Sequence, residues 1–556
     1  MRLRASLLAL SLLTAMPTAA LAAAPAAPAG SAPSPCAGGT VFEDRNGNGR
    51  RDPGEPGLAG QRVSDGRSIV LTDAQGRYAL PPGERSSQFL IKPAGYRLAA
   101  RADSGLPDYW LNVNPSAPPP LKYGGMPQAA PGCRDYALIP DKRAARSGDL
   151  DVLVFADPQT RNATEIGYYR RDIVEPLLAQ RKGRAPLADL GLSLGDIVHD
   201  DLSLYPQINA VTASLGVPWL HAPGNHDLDF DARSDEDSLL SYRHVYGPDT
   251  YAWEEAQANF VVLDDVIYLP GSKPEYIGGL RPEQFDFLQA YLARADKRRL
   301  LVLAMHIPLF DAAPGRETFR HADRERLFGL LREFPHVLVL SGHSHAQRHV
   351  YHSGDSGWRG AAPLHEYNVG AACGAFWSGI KDAQGLPDST MSDGTPNGYA
   401  RLRVRGDAGY ALSWHPAPSA GHALGAAAVA NEYLRLYAPK ALRKDSYPVR
   451  GVYANVFMGR DDSRVEYRID GGAWKPMRRV DQPDPALLGE NARDDASAQL
   501  RGFDRAAPAT PTPHLWNAGL PTDLAAGEHA IEVRAFDPWQ GEQRLGTSYR
   551  LIEATQ

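Results

Sequence analysis

Cysteine is scarce in this chain, with 3 in 556 residues, which excludes a disulfide-dense scaffold as the main source of stability. Long apolar runs are missing beyond the first two dozen residues. The Leu and Val runs around Val302 and Val339 are strand-length and flanked by charges, so they exclude a membrane span. Dense basic patches are missing as well. With 59 Lys and Arg against 65 Asp and Glu, and a formal net charge of −6, the chain lacks the footprint that phosphate-backbone binding requires, and nucleic acid is excluded as the main partner. There is no internal repeat and no heptad pattern, which excludes solenoids and coiled coils.

What is present begins with Met1, Arg2, Leu3 and Arg4, followed by an apolar Leu- and Ala-rich run ending in Ala20, Leu21 and Ala22. This pattern predicts an export signal over residues 1–22, cleaved after Ala22, and a periplasmic or secreted mature protein. Losing Arg2 and Arg4 would bring the net charge to −8. Residues 23–35 are Ala, Pro, Gly and Ser, a linker composition. Cys36 and Cys133 bracket the next region and are expected to form a disulfide in an oxidising compartment. Cys373, within Gly370, Ala371, Ala372, Cys373 and Gly374, is expected as a small buried residue.

Residues 36–104 carry short alternating strand candidates separated by Asp, Gly and Pro turns, which predicts a small β-sandwich module. Residues 105–148 are rich in Pro and Gly and are expected to connect it to the next domain. From 149 to 360, apolar strands alternate with helical patterns, predicting an α/β layered domain. Residues 361–556 return to alternating strands, aromatics and Gly, predicting a second β domain.

In the first module Asp44, Asn46, Asn48, Gly49, Asp52 and Glu55 occupy positions 1, 3, 5, 6, 9 and 12 of the calcium-loop pattern. A strand-like Thr40, Val41 and Phe42 precedes the loop in place of a helix. The expectation is a structural calcium ion held by Asp44, Asn46, Asn48, Asp52 and Glu55.

Five strand-like runs of the α/β region each end in a polar cluster. Asp151–Ala156 leads to Asp157 and Gln159, Leu190–Leu194 to Gly195 and Asp196, and Val217–Leu220 to Gly224, Asn225, His226 and Asp227. Leu300–Met305 leads to His306, and Val337–Leu340 to Gly342, His343 and His345. Ligands bind beyond the carboxyl ends of strands in open α/β sheets, so these clusters should converge. Imidazoles with carboxylate and amide oxygens suit two divalent cations such as manganese, iron or zinc. Such a pair clamps a phosphoryl group and acidifies a bound water.

In this order the clusters resemble the calcineurin-like metallophosphoesterase superfamily, with its pattern D-x-H, G-D, G-N-H-[DE], H and G-H-x-H. The flanking domains resemble accessory domains of its secreted bacterial members. The resemblance implies a layered β-sandwich core flanked by helices, with small β domains on both sides. It further implies that Asp157, Gln159 and His345 hold one metal, that Asn225, His306 and His343 hold the other, and that Asp196 bridges them. His226 would act as general acid, helped by a carboxylate such as Asp227 or Asp200. Gln159 departs from the usual His, and its harder amide oxygen shifts preference toward manganese or magnesium relative to zinc, with manganese favoured.

The reading is therefore an exported dinuclear phosphoesterase acting on a small phosphomonoester or phosphodiester; the motifs do not distinguish the two, nor fix the oligomeric state. The rival is a surface binding or structural protein with a non-catalytic metal domain. That rival would be expected to have lost Asn225, His226 or a paired histidine, and all stand in the sequence. The stretches Gly374–Gly379 and Asp393–Tyr399 combine Gly with aromatics and are further candidates to line a pocket.

Overall fold

The apolar runs of the central region become strands buried on both faces. In the computed structural model, which describes residues 38–553 apart from 82–84, 130, 131, 133, 142–147, 182, 184, 185, 314, 419–424, 426 and 448–450, these strands build two facing sheets. Cys36, Cys133, the expected leader and the expected linker lie outside the described residues.

The first sheet contains β1 (Leu150–Phe155), β2 (Leu190–Leu194) and β3 (Trp219–Ala222). The second contains β4 (Tyr251–Glu254), β5 (Ala258–Val262), β6 (Leu300–Ala304), β7 (Val337–Ser341), β8 (Arg348–His352) and β9 (Leu364–Asn368). Two further strands, β10 (Gly398–Val404) and β11 (Tyr410–Pro416), return to the first sheet. The strand orders are β3-β2-β1-β10-β11 and β4-β5-β6-β7-β9-β8. Runs such as Leu-Leu-Val-Leu-Ala in β6 are buried throughout, as parallel strands covered on both faces require.

Helices accompany these sheets. Asn162 caps the first, its side-chain oxygen accepting from Thr164 N and Glu165 N, and Ala163–Tyr169 runs on through a wider turn at Arg170–Val174 into Glu175–Ala179. The cap matters for function because it fixes the neighbouring Arg161 and Glu165.

The structure differs from the expected end of this domain at 360. β9, β10 and β11 all pair with the central sheets, β10 lying antiparallel to β1 with Ala400 opposite Val154. Alternating strands look alike whichever sheet they join, so composition could not assign them. The later β unit is a sandwich of two five-stranded sheets between Ala428 and Ile552, with Leu434, Val452, Trp516, Ile531 and Tyr549 in its core. It also carries a helix, Pro485–Ala496, capped by Asp484.

The N-terminal module is two four-stranded sheets. The expected connector 105–148 contributes to both: Trp110–Val113 pairs with Ser86–Leu90, and Tyr136–Pro140 lies parallel to Gly38–Glu43. Its Pro and Gly residues concealed two short strands whose Trp110, Val113, Tyr136 and Leu138 are buried. Phe89 meets Phe287 edge to face at 5.9 Å and Tyr109 meets Trp253 at 5.8 Å, so the module shares its core with the central domain.

Candidate metal centre

All five clusters meet where the carboxyl ends of β1, β2, β3, β6 and β7 converge. Each chain turns sharply as it leaves its strand. Asp157, Gln159, Asp196, His343 and His345 take φ values of 48°, 39°, 47°, 71° and 48°, a left-handed conformation costly for Gln and His and held only where the surroundings dictate it. Two glycines permit the approach. A Cβ on Gly195 would lie 2.6 Å from His306 Nδ1, and one on Gly224 would lie 2.3 Å from Asp196 N. Backbone bonds then join the turns: Gln159 N donates to Asp196 O (2.9 Å) and Gly342 N to His306 O (2.9 Å).

The side chains present a crowd of acceptors. His306 Nδ1 lies 2.9 Å from Leu194 O, and His345 Nδ1 lies 2.7 Å from Gly374 O. Those carbonyls can only accept, so both rings carry a proton on Nδ1 and turn Nε2 inward. His306 Nε2 then faces Asn225 Oδ1 at 3.0 Å, His343 Nδ1 at 3.2 Å and Asp196 Oδ1 at 3.3 Å. His345 Nε2 lies 3.6 Å from Asp157 Oδ1. So many ligand atoms at these separations call for positive charge among them, which a second proton on His306 or a metal ion can supply, and nitrogen and carboxylate donors fit divalent transition metals. Gln159 Nε2 donates to Asp196 Oδ2 (3.1 Å); a half-turn of its amide would offer oxygen in the same place.

Electrostatics agree. Burial opposes charge on His306, yet Asp196, Asp157 and Asp265 raise it to about 10. Burial pushes Asp157 up to about 7 and Asp265 up to about 8, and pushes His343 down to about 3 and His345 down to about 4. Among the described residues, Asp196, His306 and His343 have ligand atoms all within 4.8 Å of one another, and so do His199, Asp200 and His226.

Three matches tile most of the chain: Calcineurin-like phosphoesterase over residues 150–347, N terminal of Calcineurin-like phosphoesterase over 45–120, and C terminal of Calcineurin-like phosphoesterase over 366–542. The chain belongs to the calcineurin-like phosphoesterase family. It is similar to the 3',5'-cyclic adenosine monophosphate phosphodiesterase CpdA of Pseudomonas aeruginosa, at 29% identity over 225 residues, 40% of this chain and 72% of that protein. It is also similar to purple acid phosphatase 22 of Arabidopsis thaliana, at 24% identity over 208 residues, 36% of this chain and 46% of the plant protein. A dimetal phosphatase from Danio rerio aligns over 47% of this chain and 98% of its own, with 17% identity and a TM-score of 0.32.

This phosphoesterase is thus a metal-dependent phosphoric ester hydrolase, of a family that implies two divalent ions. Beside the acceptor crowd stands His226. Its backbone N–H donates to Asp196 Oδ1 (2.8 Å), its Nδ1 lies 2.6 Å from Asp200 Oδ1, and its ring stacks on His199 at 4.2 Å. Burial works against its proton, while Asp196 and Asp200 raise its pKa. Asp200 is therefore the carboxylate that orients the ring.

Asp227, expected beside His226 as a catalytic partner, is elsewhere. It is fully buried, and its oxygens accept from Gly224 N (2.9 Å), Ile197 N (3.2 Å) and Tyr205 Oη (3.0 Å). It ties the Gly224–His226 turn to the Gly195–Ile197 turn. In a short turn successive side chains point in different directions, and adjacency in sequence misled. Asp227→Ala should destabilise the protein by about 1–3 kcal/mol, because the Gly224, Ile197 and Tyr205 donors would lose their buried acceptor. Chemical denaturation checks this; an unchanged midpoint would remove Asp227 from that role.

Three further residues were missed. Asp265 Oδ1 accepts from His306 N at 3.0 Å; it follows the apolar run of β5, the same strand-end signal that exposed the others. His199 lies three residues after Asp196, and Tyr205 sits on the helix beyond. Of the two candidate pocket stretches, the first reaches the centre through Phe376, whose ring lies 4.5 Å from that of His345. The second buttresses it from behind: Asp393 is buried and its Oδ2 accepts from Gln347 N at 2.8 Å. Cys373 is free and buried, its Sγ 3.7 Å from His345 Nδ1.

Proposed function

We propose that this phosphoesterase hydrolyses a small phosphomonoester or phosphodiester outside the cytoplasm, with His226 as the acid that protonates the leaving oxygen. The observation that carries the reading is the His226–Asp200 pair set against the converged ligands. Asp157, Gln159 and His345 would hold one ion, Asn225, His306 and His343 the other, with Asp196 shared. Ions bound there would clamp the phosphoryl group and lower the pKa of a water. The chain supplies the remainder: Asp200 fixes the His226 ring, and the bond from His226 N to Asp196 couples the acid to the bridging carboxylate. Manganese is favoured because Gln159 offers an amide oxygen where imidazole would favour softer metals.

The test is to strip the purified protein with chelator, reload it separately with manganese, iron or zinc, and assay nitrophenyl mono- and diesters alongside alkyl phosphates. Hydrolysis is expected to return with metal and to be greatest with manganese. Absence of hydrolysis with every reloaded metal would refute the reading. Export rests on the leader pattern of residues 1–22; a mature N terminus other than Ala23 would count against it.

Calcium in the N-terminal loop belongs to the same proposal. Asp44 and Glu55 are buried, and the loop already converges on them: Gly47 N and Gly49 N donate to Asp44 at 2.6 and 2.8 Å, while Arg45 N and Asp52 N each donate to Glu55 at 2.9 Å. Asn46 and Asn48 donate to Asp52, bonds that an ion would replace. An extracellular-type affinity would make millimolar calcium worth about 1–2 kcal/mol. After chelation, removal of the chelator and reloading with the catalytic metal, the full-length protein should then melt a few degrees higher with added calcium than without it. Identical melting would leave the loop a turn.

A further inference from the structure

Two exposed aromatic rings flank Arg161, and one of them, Phe376, packs against His345 of the metal centre. Among the described residues seven large apolar side chains are exposed, and two of them, Phe376 and Phe503, share Arg161 as a neighbour here. Phe376 is 38% exposed and Phe503 57%. They come from different parts of the chain, Phe376 from the loop after β9 and Phe503 from the C-terminal unit.

Their positions are enforced. Phe376 and Trp377 take φ values of 60° and 53°, a conformation that bulky residues adopt only under constraint. Trp377 Nε1 anchors the turn to Pro158 O (3.0 Å), and Arg161 Nη2 donates to Phe376 O (3.1 Å). The same guanidinium lies 3.7 Å over the Phe503 ring, and Gly379 N donates to Phe503 O (2.9 Å). Arg161 is held by Glu165 through bonds of 2.9 and 2.6 Å. Its charge is thereby balanced, so this bracket is no hook for a second anion. Each ring turns toward a neighbour on one side, Phe503 toward the Arg161 guanidinium and Phe376 toward His345, and leaves the remainder exposed.

The rings also stand in the right place. Phe376 lies between His345, 4.5 Å away, and His199, 6.1 Å away and edge-on, and His199 in turn stacks on His226. A group attached to the oxygen that His226 protonates would leave past this side.

We propose that Phe376 and Phe503 form a stacking subsite for a planar ring carried by the alcohol part of the substrate, a nucleobase or an aryl group. The inference rests on the phosphoester-hydrolysis reading and names its substrate class. Stacking is tolerant of ring identity because every aromatic presents a π-face.

The test uses full-length, manganese-reloaded protein and two matched pairs: adenosine 5'-phosphate with ribose 5-phosphate, and 2-phenylethyl phosphate with 2-cyclohexylethyl phosphate. Within each pair the leaving alcohol is chemically alike, so the kcat/KM ratio reads ring recognition. Wild type should favour the ring-bearing member by about tenfold or more in at least one pair, as base–aromatic stacking provides. In Phe376→Leu and Phe503→Leu that ratio should fall to within about threefold of one. Preference confined to the nucleotide pair assigns a nucleobase, and preference confined to the phenyl pair assigns an aryl group. Ratios near one in wild type for both pairs, or ratios unchanged in both variants, overturn the subsite. Should none of the four monoesters be cleaved, and the nitrophenyl diester neither, the hydrolysis reading fails by itself; whether or not the diester is cleaved, saturation-transfer NMR with adenosine and 2-phenylethanol then decides the subsite. Binding lost in both variants supports it, and no binding to wild type overturns it.

Discussion

Asp196→Ala should leave a folded protein that neither retains its metals nor turns over substrate. Asp196 is the hub of the centre: Oδ1 accepts from His226 N at 2.8 Å and lies 3.3 Å from His306 Nε2, while Oδ2 accepts from Gln159 Nε2 at 3.1 Å. Every bonded group belongs to another part of the site. A ligand shared by two ions cannot be lost from one alone, so metal content and turnover should fall together. Loss of the charge stabilisation that two ions supply, several kcal/mol, corresponds to a decrease on the order of 1000-fold or more. Metal analysis beside kinetics on a nitrophenyl ester checks this, with circular dichroism separating ligand loss from unfolding. Full metal occupancy in the variant would displace Asp196 from the bridge.

Gln159→His gives a milder comparison. It restores imidazole where the amide stands, and activity should persist while the best-supporting metal changes. The contrast matters because Gln159 and Asp196 touch each other yet are assigned different weights.

The convergence was legible in the sequence because each polar cluster follows an apolar run long enough to be a strand. Polar residues at the end of a buried strand have few places to go other than a crevice. Convergence of β1, β2 and β3 from one sheet with β6 and β7 from the other follows from that rule without knowledge of the turns. What failed were choices that depend on where a turn points. Asp200 and Asp227 are alternative carboxylates for the same histidine, but Asp200, 26 positions away in sequence, lies beside its ring, while the adjacent Asp227 faces backbone amides in the interior. Boundaries failed for another reason. Alternation over 398–416 marks a half-buried strand but not its partner, and these strands turned out to close the central sheet. Phe503 was invisible as a site residue because only tertiary packing brings it to Arg161, more than 300 positions away in the chain.

His226→Ala should separate catalysis from metal binding. The ring's Nδ1 is engaged by Asp200 at 2.6 Å, which directs Nε2 outward as the group able to give a proton. Asn225, the neighbouring residue, is the proposed ligand, so metal content should remain near wild type. Loss of a general acid costs on the order of 100- to 10,000-fold in turnover on an alkyl phosphoester, whose alkoxide leaves poorly unless protonated. On nitrophenyl esters, whose phenolate leaves without help, the loss should shrink toward tenfold or less. That dependence on the leaving group identifies proton donation, because a general disturbance of the centre would slow both substrates alike. Asp200→Asn offers the intermediate case: the ring stays but loses its charged partner, so the alkyl ester should slow by about tenfold with the same bias toward good leaving groups. Equal losses on both substrate classes would make His226 a positioning residue for Asp196. Full activity of His226→Ala on the alkyl ester would remove it from proton transfer.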